Sequence, residues 1–218
     1  MYKHLLLAGF LACMTGCGVV YSPSLHLPER PLAKNDGQVT IGYGAINDVN
    51  GSSFNDGNDL QLRYAYSDHF SMTVKGWTST SLVKDAYFNG GFLTNAIITF
   101  NDKDEPLILG LIPTWNLLFN NDGVKASGAS LQAAVWLPKL SIFRPYMAAG
   151  PGLIVNSFSA DNWGYGLISN FGLAGKFAEN FTVSGEISPM VIHKINDDEV
   201  AYLSLGAMVG VSWNFHNQ

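Results

Sequence analysis

From Leu203 to Phe215 the chain places an apolar residue at every second position: Leu203, Leu205, Ala207, Val209, Val211, Trp213 and Phe215. Between them stand Ser204, Gly206, Met208, Gly210, Ser212 and Asn214. A period of two marks a strand with unlike faces. Continued back to Val200, this one is far longer than the roughly five or six residues of an ordinary soluble strand. A membrane-spanning strand needs such length, with an apolar side toward lipid and a small or polar side toward the interior of a narrow barrel.

Composition agrees with a membrane location. Charged residues make up 13% of the chain, about half the share of about 25% usual in soluble globular proteins. No internal apolar run reaches the roughly 20 residues of a membrane helix. An apolar exterior without helices requires a closed barrel, since every backbone group must be paired where no water is available. The net charge of -5 argues against nucleic acid as a partner, which would need clustered Lys and Arg.

At the N-terminus a basic start (Lys3, His4) leads into an apolar run, Leu5 to Met14, and then Thr15, Gly16 and Cys17. The run is too short to span a bilayer and ends in small residues, so residues 1–16 read as an export signal peptide. Met14-Thr15-Gly16-Cys17 resembles the lipobox of bacterial lipoproteins, which implies lipidation of Cys17. The other cysteine, Cys13, would leave with the signal, so no disulfide is expected within the mature chain. Residues 17–37 contain Pro23, Pro28 and Pro31, which oppose regular structure, and read as a tether between lipid anchor and barrel.

Alternation predicts ten strands: Gln38–Ile46, Asp59–Ser67, Phe70–Thr78, Gly91–Phe100, Pro106–Asn116, Ser127–Leu137, Ile142–Val155, Gly164–Phe177, Phe181–Val191 and Val200–Phe215. The fold class is therefore all-β, an antiparallel up-and-down transmembrane barrel over residues 38–215. Eight strands result if Gly91–Phe100 and Pro106–Asn116 belong to a long excursion. Short connections, such as Asp68-His69 and Ala178–Asn180, alternate with longer polar ones, such as Asn47–Asn58, Ser79–Gly90 and Leu117–Ala126. Outer-membrane barrels sort their connections in this way, with short periplasmic turns and long surface loops. That order places both chain ends at the periplasmic side. Trp77, Trp115, Trp136, Trp163 and Trp213 are candidates for interfacial girdles, although Trp136, opposite in face to Val135 and Leu137, is expected in the lumen.

Arg144-Pro145-Tyr146-Met147-Ala148-Ala149-Gly150-Pro151-Gly152, together with the aromatic-ended Val209–Phe215, resembles small bacterial outer-membrane barrels of the OmpA-like or OmpW-like kind. That resemblance implies outer-membrane lipids and the barrel assembly machinery as partners.

Arg63, Lys75 and Glu186 each lie opposite apolar neighbours in a strand and so should point into the lumen, with one of the cations pairing with Glu186. Asp48, Asn50, Ser52, Asp56 and Asp59 space oxygen ligands as a hard cation requires, but without the Gly and Glu of an EF-hand; the default is a solvated loop, and no metal or other cofactor is expected. His193, near Asp197, Asp198, Ser157, Ser159 and Asp161, supplies residue types for rim catalysis. No established catalytic motif accompanies it. The expected function is thus an outer-membrane barrel lipoprotein with a structural or binding role, contacting an extracellular ligand through the long loops. Its rivals are a lipid-anchored periplasmic lipocalin-like carrier, apolar inside and polar outside, and a lipid-modifying enzyme or protease built around His193.

Overall fold

The computed structural model describes residues 24–48, 54–79, 90–120, 123–156, 163–194 and 200–216. Its strands are β1 (Asp36–Asp48), β2 (Phe54–Ser67), β3 (Phe70–Ser79), β4 (Gly90–Thr99), β5 (Ile108–Asn120), β6 (Gly123–Trp136), β7 (Phe143–Asn156), β8 (Trp163–Ala178), β9 (Phe181–Lys194) and β10 (Val200–His216). Each pairs antiparallel with its neighbours in sequence, and β1 pairs with β10, which closes the barrel. The closing ladder runs from Asp36 opposite His216 to Asp48 opposite Ser204. It leaves no sheet edge, so all the strands can satisfy their backbone groups without water.

Which face each strand turns outward follows from alternation, and the barrel's polarity is inside out relative to a soluble protein. Ile41, Leu60, Leu62, Met72, Val74, Leu131, Leu167, Ile187, Val209 and Val211 are all exposed. Their neighbours Thr40, Gln61, Arg63, Thr73, Lys75, Gln132, Ser184, Glu186 and Ser212 are buried. An apolar band outside and hydrogen-bonding side chains inside is the arrangement a lipid surround requires. It excludes the lipocalin-like alternative, whose faces are reversed.

Both Gly91–Phe100 and Pro106–Asn116 correspond to barrel strands, β4 and β5, so the eight-stranded variant does not apply. The two ends of the barrel are less unequal than the sequence suggests. Residues 117–126, read above as a polar loop, are mostly strand: β5 continues to Asn120 and β6 restarts at Gly123. The longer connection 100–107 lies at the short-turn end. Asn, Gly and Lys at a strand end outside the lipid carry no signal for where a ladder stops, because water satisfies either outcome.

Trp136 and Trp77 are buried within the barrel, whereas Trp115 and Trp213 are exposed on its outer face. At the closing seam Trp213 packs on Phe215 with ring centroids 5.6 Å apart. Gly37, opposite Phe215, has no Cβ in the space that ring occupies.

Candidate functional site

Followed backward from Asp36, the chain does not leave the barrel; it turns into it. Asn35 donates its N–H to Ala65 O at 2.8 Å, and the Lys34 N–H donates to Asp68 Oδ1 in the β2–β3 turn. Arg30 reaches Asp104 at 3.1 Å, and Glu29 takes Lys139, so the segment crosses the short-turn mouth between paired charges. Pro28 O then accepts from the Trp136 indole N–H at 3.0 Å. Beyond it Leu27, His26, Leu25 and Ser24 are all buried. By Ser24 the chain has risen to the level of Asp59 and Lys75. Pro28 and Pro31 keep the segment irregular, as the sequence suggests, but residues 24–35 are a plug, where a free tether is the sequence expectation.

An irregular segment brings backbone donors and acceptors that no strand satisfies, and each must find a partner in the lumen wall. Glu186 on β9 accepts the Leu25 N–H at 2.8 Å and the His26 N–H at 3.1 Å. The same carboxylate also takes the Tyr146 hydroxyl at 2.8 Å, Asn170 at 2.9 Å and Ser188 at 3.0 Å. Arg63 on β2 donates to the carbonyls of Leu25 and His26 at 3.1 and 3.2 Å, and to Thr73 and Gln38. Lys75 on β3 donates to Ser24 O at 2.8 Å and ion-pairs with Asp59 at 3.0 Å. Apolar contacts complete the fit, since Leu25 and Leu27 join a buried cluster with Ile97, Ile108, Ile112, Trp136 and Tyr146.

Arg63, Lys75 and Glu186 therefore all line the lumen and all grip the same segment, but neither cation takes Glu186 as its ion-pair partner. Instead Glu186 holds the segment's N–H groups and Arg63 its carbonyls, so the polarity of the backbone is matched from both sides. The cation's carboxylate is Asp59, which the sequence reading grouped with the surface cation loop. Asp59 Oδ2 also receives His26 Nε2 at 3.0 Å and the Ser24 hydroxyl at 3.3 Å. His26 has φ of 41°, a region that non-Gly residues rarely occupy. Its N–H is held from β9 by Glu186, its carbonyl from β2 by Arg63 and its ring from both strands by Asp59 and Ser184, which holds that backbone in place.

The Ser184 hydroxyl lies 3.4 Å from His26 Nδ1, and with Asp59 on the other ring nitrogen the line contains the residue types of a hydrolytic triad. It is closed on every side: Ser184, His26 and Asp59 are 2%, 1% and 3% exposed. No substrate reaches it in this conformation, and its chemistry is that of a latch.

His193, the rim candidate, sits on the opposite face from buried Ile192 and stacks on exposed Tyr165 with centroids 6.0 Å apart. It thus turns away from the lumen. Its expected companions, Ser157, Ser159, Asp161, Asp197 and Asp198, lie outside the described residues, as do Cys17 and the signal peptide. Of the proposed cation loop, residues 49–53 also lie outside, and Asp59 is committed to Lys75 and His26. Among the described residues no group of three or more His, Cys, Asp or Glu side chains is placed to hold a metal.

No protein-family model matches the chain, and no curated protein matches it. Solved structures that it resembles include the N-terminal β-barrel domain of Pseudomonas aeruginosa OprF, at 16% identity over 84% of this chain and 100% of that one, with a TM-score of 0.38. Another is Ail, the attachment invasion locus protein of Yersinia pestis, at 12% identity over 84% and 99%, with a TM-score of 0.39. Neisserial surface protein A is 17% identical over 83% and 96%, with a TM-score of 0.40. At these identities the likeness is one of barrel architecture.

Proposed function

We propose that this protein is an outer-membrane barrel lipoprotein, lipidated at Cys17, that serves as a closed structural or surface-binding element. In this reading the short turns and the C-terminus face the periplasm, and the connections at the other end meet whatever the protein binds. The observation that carries the closed state is the plug: residues 24–28 occupy the lumen and are fastened by Glu186, Arg63 and Lys75 on three different strands. A conducting pore needs a continuous water path, and this one is filled by the protein's own chain. With the lumen spent on the plug and the latch residues sealed, contact chemistry is left to the rims.

Planar-bilayer recording tests the closed state. The intact protein is expected to be silent, and removal of Ser24–Ala33 is expected to give stepwise conductance; steady conductance by the intact protein would sink the proposal. Lipidation is tested separately by metabolic labelling with a fatty acid, with incorporation lost in Cys17→Ser. Carbonate extraction of that variant then distinguishes an integral barrel, which stays in the membrane fraction, from a merely anchored protein, which is released.

A further inference from the structure

The short-turn mouth holds a cavity of about 420 Å³ between the plug and the ends of the strands. Its wall includes Pro28–Ala33 of the plug and six basic side chains: Arg30, Lys103, Lys139, Arg144, Lys176 and His216. Four of these are already engaged, Arg30 by Asp104, Lys103 by Asp68, Lys139 by Glu29 and His216 by Asp36. Arg144 is different. It is only 9% exposed, yet its Nε and Nη1 are buried without a hydrogen-bond partner among the described residues.

A guanidinium is never deprotonated in a protein, and burying one without a counter-charge costs several kcal/mol. Native structures do not leave such groups orphaned without a reason. The neighbouring strand adds to the imbalance. Arg144 on β7 stands opposite Ala174 on β8, and Lys176 follows two residues later on the same face, lining the same cavity. The wall's carboxylates do not correct it, because Glu29 is held by Lys139, Asp104 by Arg30 and Asp36 by the His216 ring. Glu179, in the β8–β9 turn, is the remaining one.

We propose that this mouth is a binding site for a small oxyanion, the phosphate or carboxylate group of a solute on that side of the membrane, with Arg144 as its anchor and Lys176 as its second contact. Charge-assisted bonds from guanidinium and ammonium to such a group are the strong class of hydrogen bond, and the cavity is large enough for the group and part of its carrier. Because Pro28–Ala33 form part of the wall, the bound anion also closes the mouth against the plug. The site is independent of lipidation at Cys17 and of how the rims are used.

The test is isothermal titration of the whole protein, folded in detergent at low ionic strength, with inorganic phosphate as the probe. Heat-modifiable gel mobility confirms that each variant is folded. Saturable binding is expected at millimolar phosphate, weakened roughly tenfold or more in Arg144→Gln, roughly threefold in Lys176→Gln, and largely restored in Arg144→Lys. Arg30→Gln, which removes a cation already taken by Asp104, is expected to leave the affinity within about twofold. Absence of saturable binding by the unmodified protein would overturn the proposal. So would an equal loss in Arg30→Gln and Arg144→Gln, which would mean that the mouth's general charge, and no built site, attracts the ion.

Discussion

Lys75 and Asp59 carry the sharpest residue-level consequence, because both side chains are fully buried within 3.0 Å of each other. A buried ion pair is a poor source of net stability, but removing one member leaves the other desolvated and uncompensated. Lys75→Met is therefore expected to cost about 3–5 kcal/mol, read as a lowered midpoint in urea titrations of folding into lipid vesicles. The double variant Lys75→Met with Asp59→Leu should recover part of that loss, since neither member of the pair then remains as a lone charge, while His26 Nε2 and the Ser24 hydroxyl lose their shared partner. Gly42 gives a second, steric test. A Cβ there would run into Asp59 Oδ1 and come 2.6 Å from His26 Nε2, so it falls on the contact that latches the plug to the wall. Gly42→Leu is expected to keep the barrel but expel the plug, seen as loss of hydrogen-exchange protection at the Leu25 and His26 amides.

At the scale of elements, the strands and the plug were not equally legible. Strand positions followed from alternation, and so did the inward direction of Arg63, Lys75 and Glu186, because a two-residue period leaves no third choice of face. The plug has no period, and its two prolines, Pro28 and Pro31, suggested only irregularity. Its path depends on wall residues more than a hundred positions away, Trp136 and Glu186, which no local pattern can disclose. A signal did exist: Leu25 and Leu27 are poorly suited to a solvated tether, and Asp59, Gln61 and Arg63 set an unusual polar run on one inward face. Four charges, Asp59, Arg63, Lys75 and Glu186, and several amides inside a narrow barrel require something polar to grip. The plug's entry is tied at the mouth by Asp68. Its carboxylate, bonded by Lys103 and then by the Lys34 N–H, is held below the ordinary value of 3.8. A depressed carboxylate contributes fully above that ordinary value and loses its contribution as pH falls through the folded one. The Lys34 amide resonance is thus expected to stay fixed above pH 3.8 and to shift under more acid conditions, with Asp68→Asn showing the shifted position at every pH.

For the whole molecule, the decisive property is that its two surfaces obey opposite solvents. In the lumen, charge is tolerated because Asp59, Arg63, Lys75 and Glu186 are each met by a backbone group or a counter-ion. Outside, nothing is available to meet one. Ile41 is 66% exposed, and its cross-strand partners are Val211 on β10 and Leu60 on β2. Both partners are themselves exposed and apolar. In water such a site would accept a cation gladly, and Ile41→Arg would raise solubility. If the band faces lipid, the same change is expected to cost about 2–4 kcal/mol at the bilayer midplane, read from urea titrations of folding into vesicles. Ile41→Phe, equally apolar, should be nearly neutral there. Placing Arg instead at Phe181, exposed on the outer face at the very start of β9, should cost far less, because the penalty falls toward zero near the interface. A flat response across these positions would contradict the membrane barrel itself, since only a hydrocarbon slab of finite thickness makes the cost of one charge depend on its height along a strand.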